Sequence, residues 1–276
     1  MESVTFHQCV KGAWRDSWRY LQHQPAMALS FLLGAWLSQW IEAVLVPDRT
    51  LPFRLITYVP LGVFELLKIA LFSVLTIQAM RFVLLEKREV VEAPFFASSY
   101  WRYLGITFGM ALVLMIIVIL GIALGIGRGS TFAVIAMLAF SLQRHGVAVL
   151  VPVVMGASVA VAVCAGGFLL GRFSLLSTHA AIGGAVRVRD AWADTHGHYW
   201  SIVLTQFGAL VPVLVVWLLL TALQATARRH GLGAMNGLGA ALVYVGTLCV
   251  GAACSAWLYR RYANALCGNP SSSHLR

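Results

Sequence analysis

Six apolar stretches, each about as long as a helix must be to cross the hydrocarbon of a bilayer, take up most of this chain. They run over Met27–Val46, Leu55–Met80, Tyr103–Gly127, Val147–Leu170, Ser201–Leu223 and Gly237–Tyr259. No water is available inside hydrocarbon to satisfy exposed backbone N–H and C=O groups, and these stretches are far longer than barrel strands. Each therefore reads as a transmembrane helix. The expected fold is all-α, a polytopic membrane helix bundle. Hydrophobic residues make up 60% of the chain and charged residues only 11%, too few polar side chains to clothe a soluble surface. The segments between spans reach at most ~30 residues, too short for a soluble catalytic domain. Residues 1–276 read as one integral membrane domain.

The formal net charge is +10. In a soluble protein this would raise nucleic-acid binding, but here the Lys and Arg residues are scattered among the span ends and make no groove for a nucleic acid. Their sidedness is the informative quantity. With both termini cytoplasmic, thirteen of the twenty basic residues lie inside and six outside, with Lys68 within a span. That bias predicts cytoplasmic N and C termini. The polar first 25 residues differ from a cleavable signal peptide, so the first span reads as a retained anchor. Cys9, Cys164, Cys249, Cys254 and Cys267 form no CxxC pair, and neither a disulfide framework nor a zinc site is expected.

The organisation repeats. Trp18-Arg19-Tyr20-Leu21 before the first span recurs as Trp101-Arg102-Tyr103-Leu104 before the third, and Trp200 holds the corresponding place before the fifth. The returning spans end on Arg81-Phe82, Arg172-Phe173 and Arg261-Tyr262. Trp, Tyr and Arg collect at membrane interfaces for reasons unrelated to ancestry. Matching tetrapeptides in register with matching exits nevertheless point to three helix-pair repeats of one orientation, at about 9–89, 90–180 and 181–268, followed by a short polar tail, 269–276.

Each repeat opens on a polar-aromatic segment. In the first, Val10, Trp14, Ser17, Trp18 and Leu21 share one side of a helix, beside a basic stripe of Lys11, Arg15 and Arg19. This is the pattern of an interfacial amphipathic helix on the cytoplasmic face, with rings at headgroup depth and cations toward anionic lipid. The segments around Trp101 with Arg102, and around Trp192, are less regular. All three read as elbows that set the tilt of the next span, or as sites for a lipid headgroup or a membrane-protein partner.

At the third elbow, Ala191-Trp192-Ala193-Asp194-Thr195-His196-Gly197-His198-Tyr199-Trp200 forms an Ala-Trp-x-x-Thr-x-Gly-x-x-Trp pattern. Together with Arg172-Phe173-Ser174-Leu175 and the Arg-aromatic C-terminal exit, it resembles the six-helix membrane domain found with some glycerophosphoryl diester phosphodiesterases and alone in uncharacterised bacterial inner-membrane proteins. The resemblance implies the six-helix fold and the bacterial inner membrane, and carries no active-site residues. The phosphodiesterase activity of the fused proteins belongs to a separate soluble barrel that has no counterpart in this chain. Asp194-x-His196-x-His198 has the residue types to hold a cation, but a solvated or headgroup-facing elbow explains it more simply. No metal or cofactor is expected.

Ionisable side chains within a span are costly, and they are usually paired or line a pathway. Glu65 and Lys68 lie three apart on one helical face, and Glu42, near the outer end of the first span, can join them. If a helix starts at Pro60, the pair sits near the outer surface and Lys68 snorkels toward it. Span six places Gly239, Gly246 and Ala253 seven apart beside Leu242, Cys249 and Ala256, a seam for close approach that makes this helix interior. Gly121-x-x-x-Gly125 and Gly167-x-x-x-Gly171 offer similar contacts. The apolar run Phe132–Leu142 is too short to span and reads as an outer interfacial or re-entrant helix.

No nucleotide loop, nucleophile elbow or other catalytic constellation accompanies these helices. The leading expectation is a non-enzymatic scaffold or lipid-associated accessory protein. The alternative is a small-solute or lipid transporter using Glu42, Glu65 and Lys68; an intramembrane enzyme is a distant third.

Overall fold

The computed structural model of the chain describes residues 5–45, 59–85, 98–113, 115–117, 164, 167–169, 171–229, 236–264 and 266. Among these residues the structure is helix and turn, with no strand. The helices are α1 (Phe6–His23), α2 (Pro25–Leu45), α3 (Val59–Leu84), α4 (Ser98–Ile117), α5 (171–181), α6 (Val188–Thr195), α7 (Tyr199–Arg229) and α8 (Asn236–Tyr262). Among the described residues, four stretches are long and apolar enough to cross a membrane: Pro60–Leu84, Ser98–Ile117, Tyr199–Leu223 and Gly237–Tyr262. They coincide with the second, third, fifth and sixth expected spans. The first corresponds to α2, a helix of 21 residues. The fourth lies outside the described residues apart from 164 and 167–169, and the segment Phe132–Leu142 and the pair Gly121 and Gly125 lie wholly outside them.

Local chemistry explains where these helices begin. Thr5 caps α1 with a reciprocal box: its hydroxyl accepts from Gln8 N at 3.4 Å while Gln8 Oε1 accepts from Thr5 N at 2.8 Å. Pro25 opens α2 and Pro60 sits in the first turn of α3, where a missing N–H costs no helical hydrogen bond. Helix α5 stops at a left-handed Gly183 (φ 94°), with Gly184 N–H donating to His179 O and Gly183 N–H to Ala180 O. This doubly bonded terminus needs glycine, because the left-handed conformation penalises a Cβ.

The described chain forms two compact units, Met1–Leu104 with Leu175–Arg276, and Gly105–Ser174. In the first, α8 is the central helix, packed by α1, α2, α3 and α7. Its interior position matches the sequence expectation, and of the expected seam the half nearer the C-terminus is buried while the other half is not. Leu242 is exposed and a Cβ on Gly246 would meet nothing, whereas Cys249, Ala252, Ala253, Cys254 and Ala256 are buried. Dispersion between closely approaching backbones drives helix association in lipid, and here the small residues are concentrated in the second half of α8. Helix α7 turns Phe207, Leu218 and Leu219 outward, an apolar surface that hydrocarbon covers and water would not. In the second unit Leu112, Val113, Met115 and Ile116 are similarly exposed, and the Arg172 guanidinium lies 5.0 Å from the Phe168 ring centroid.

Helix α1 packs on the bundle through a face of mostly small residues. The face packed on the bundle carries Cys9, Gly12, Ala13, Ser17 and Tyr20, and not the row of Trp14 and Trp18. Gly12 is required there, since a Cβ would come within 2.5 Å of the Trp257 ring. The same indole donates to Asp16 Oδ2 at 3.0 Å, and the Ser17 hydroxyl lies 3.1 Å from the Cys249 carbonyl. Trp14 donates its indole N–H to the Ala209 carbonyl at 3.0 Å, while Trp18 is 63% exposed. Close helix-to-helix approach selects the small side chains of the packed face and leaves Trp18 outward.

Candidate functional site

Three charged side chains meet inside the first unit. The Lys68 ammonium donates to Glu65 Oε1 at 2.8 Å, one turn away on α3, and to Glu42 Oε1 across the interface with α2. An unpaired ammonium within a span would be costly to desolvate, and two carboxylates compensate it. One cation between two anions leaves the cluster a formal charge of −1. Its members remain partly accessible, with side-chain exposures of 16% for Lys68, 31% for Glu42 and 41% for Glu65. The sequence expectation of a Glu42–Lys68–Glu65 cluster is thus met in geometry.

The cluster borders a cavity of about 540 Å³ between α2 and α7, floored by α8. Glu42 and Lys68 belong to its wall, with Ser38 and Gln39 from α2, Trp217 from α7 and Tyr244 from α8. The Tyr244 ring stands edge-on to Phe72 at 5.0 Å, and Phe72 in turn meets Phe31 at 5.6 Å, so the floor is held by an aromatic stack. The other wall residues include Ala35, Val213, Leu214 and Val243, which make the cavity apolar beyond its charged edge. A mostly apolar concavity with a few convergent polar groups is the usual form of a small-molecule site. Ser38 and Gln39 escaped the sequence reading, although Ser38 and Glu42 are spaced four apart and so mark one polar face on α2.

The elbow and exit residues gather elsewhere in the same unit, where they lock elements together. Arg81 is buried and donates through Nε to the Ala181 carbonyl at 2.9 Å and through Nη2 to Ser99 Oγ. Arg102 reaches the Gly183 carbonyl at 3.2 Å. Arg260 reaches Val83 O, and Arg261 lies over the ring of Tyr262, whose hydroxyl is 2.7 Å from Ser201 Oγ. Thr195 is fully buried, its hydroxyl bonded back to Ala191 O at 2.9 Å, and Gly197 supplies a left-handed turn (φ 79°) ahead of α7. Trp192 is 40% exposed; Arg19 is exposed and 3.9 Å from Asp16. The two matching tetrapeptides are presented alike: Trp18 and Trp101 are exposed, and Tyr20 and Tyr103 are buried. Trp200, at the corresponding place before α7, is exposed as well.

The Asp194-x-His196-x-His198 motif does not converge on a common point. Asp194 Oδ2 accepts from Leu266 N at 3.0 Å, and the His198 ring stacks on Tyr262 at 4.9 Å. Among the described residues no group of three metal-ligating side chains comes together. His179 sits outside the spans with Nδ1 2.6 Å from the Tyr259 hydroxyl. Burial, and secondarily the Arg187 guanidinium, hold its pKa below the ordinary value, with Asp190 acting in the opposite sense.

No family model, curated protein or solved structure matches the chain.

Proposed function

We propose that this is a multi-pass inner-membrane protein of six spans with cytoplasmic termini, and that the Glu42–Lys68–Glu65 cluster and its cavity bind a small solute or lipid for transport. The observation that carries the reading is the coincidence of a charged triad with a 540 Å³ apolar cavity whose wall includes two of its members. A triad serving only to hold α2 against α3 has no need of adjoining space. Apolar side chains filling that volume would stabilise the fold further through added dispersion contacts.

A second reading has its own support. The outward tryptophans Trp18, Trp101 and Trp200, each at the start of a proposed repeat, suit an interfacial ring facing headgroups, as a lipid-associated accessory protein or scaffold would need. Equivalent presentation of the two tetrapeptides favours the repeat organisation, and the resemblance to the six-helix membrane domain accords with both readings. Neither assigns a catalytic group.

Native mass spectrometry from lipid nanodiscs separates them. The transport reading expects the wild-type protein to retain a small molecule or lipid that Glu42→Gln loses, with no change in overall lipid content. Glu42→Gln and Glu65→Gln together with Lys68→Met should recover much of the stability lost in Lys68→Met alone and still lose that adduct. Identical adducts in all variants would leave the scaffold reading standing alone.

A further inference from the structure

The cavity beside the triad is continuous in its walls with a second one. Leu210 of α7 and Thr247 of α8 line both. The second cavity, about 300 Å³, lies toward the opposite end of the bundle, where Thr76 and Met80 of α3 and Gly251 and Ser255 of α8 face it. From Ala240 to Ser255 the two cavities follow α8 for about 22 Å at 1.5 Å per residue, most of the ~30 Å hydrocarbon thickness. The two cavities therefore lie end to end along much of the bundle, with one leucine and one threonine common to their walls.

The halves differ in chemistry. The first holds the triad, with its formal charge of −1. The second has no charged side chain in its wall and instead presents Thr76, Tyr103, Gln206 and Ser255. Gln206 and Ser255 make no hydrogen bond to other described residues, so an amide and a hydroxyl remain for an occupant. Polar groups turned into a cavity in the middle of a membrane bundle are costly to keep dry, which favours a passage for polar cargo over a lipid tail.

The shared wall also lies where α7 is weakest. Pro212 falls inside α7, where it has no N–H to donate to the Gly208 carbonyl. Leu210 is midway between these two residues. On the same turn, the Ala209 carbonyl takes the indole N–H of Trp14, so α1 braces the segment from outside. Helices bend at prolines, and a change of bend here would carry Leu210 toward or away from Thr247.

The geometry points to a single route through the first unit, gated at Leu210 and Thr247, that carries a small organic monocation with N–H donors, such as a primary amine. This rests on the transport reading and gives it a substrate class. A triad of charge −1 accommodates one further cation at neutrality and repels an anion, and the inner cavity offers acceptors for the amine hydrogens.

Thiol labelling tests this without a known substrate. The five native cysteines are replaced by alanine, and Ser38→Cys or Gln206→Cys is introduced. Membrane-impermeant methanethiosulfonates carrying a trimethylammonium or a sulfonate are then applied from the side of the α2–α3 connection. Ser38→Cys should favour the cationic reagent, and adding Glu42→Gln should reduce the cation-to-anion rate ratio by about tenfold. Gln206→Cys should react with the cation from the same side. Leu210→Trp should slow that reaction by about tenfold and Leu210→Ala should speed it, with Ser38→Cys unaffected by either. The two Leu210 variants have opposite expected signs, so poor folding of one leaves the other decisive. A reactive Ser38→Cys with an unreactive Gln206→Cys, even alongside Leu210→Ala, overturns the route but leaves the triad cavity as a binding site. Loss of the Glu42-dependent charge preference at Ser38→Cys overturns the transport reading beneath it.

Discussion

The two ends of the first unit use polar side chains in opposite ways. At the end where α3 and α8 finish, several polar groups join one element to another. Arg81 ties α3 to α5, Trp257 ties α8 to α1 through Asp16, and Asp194 takes the backbone N–H of Leu266. At the end where α2 finishes and α3 begins, the polar groups form one ion cluster and leave a cavity beside it. Substitutions at the first end should therefore cost stability, whereas those at the second should cost ligand handling. Buried polar groups are tolerated in a membrane bundle when they are satisfied by neighbours or reserved for an occupant, and this unit contains both kinds.

The largest stability effect is expected at Arg81. Arg81→Met removes two charge-assisted hydrogen bonds from a buried site, and about 3 kcal/mol should be lost in reversible unfolding from mixed micelles. A loss no larger than that of a surface substitution would break the contrast between the ends. Gly12→Val comes next. Its side chain must displace the Trp257 ring, and about 2 kcal/mol of overpacking should appear in the same assay, relieved in part by Trp257→Phe. Trp14 and Trp18 sharpen the comparison within one helix. Trp14→Phe should cost about 1 kcal/mol through the lost bond to Ala209, in detergent and in bilayer alike. Trp18→Phe should be silent in detergent and register only when a bilayer supplies headgroups.

The smallest effect is a pH dependence at His179. Its folded pKa lies below the unfolded value, so the unfolded chain takes up the proton first as pH falls. The contribution of the neutral imidazole is therefore fully present above the ordinary histidine value of 6.5 and is lost as pH falls through the lower folded pKa. His179→Gln should flatten stability between pH 7 and about 5. An unchanged slope in that variant would mean that another group governs the acid limb.

What the sequence made legible follows the range of the interactions. The i, i+3 spacing of Glu65 and Lys68 and the start of α3 at Pro60 are local, and both were readable. The repeated tetrapeptides were readable as words, and their common presentation became visible only in three dimensions. Contacts between distant positions were not readable: Trp14 meets Ala209 across 195 positions, and Gly12 is glycine because of a ring at Trp257. For the same reason the Gln206 cavity was missed, since its polar side chains converge from several helices, Thr76 from α3, Gln206 from α7, and Thr247 and Ser255 from α8. The packed face of α1 was not legible for a related reason: Cys9, Gly12 and Ala13 are small, and hydrophobic periodicity gives them little weight.

The most direct test of the contrast is an experimental structure in lipid nanodiscs. The account predicts Lys68 bridging Glu42 and Glu65 beside an open cavity between α2 and α7, with non-protein density against Glu42 that Glu42→Gln removes. The network around Arg81 should be the same in both proteins. A wild-type structure in which α2 closes against α7, or in which protein side chains fill the volume beside the triad, would contradict it.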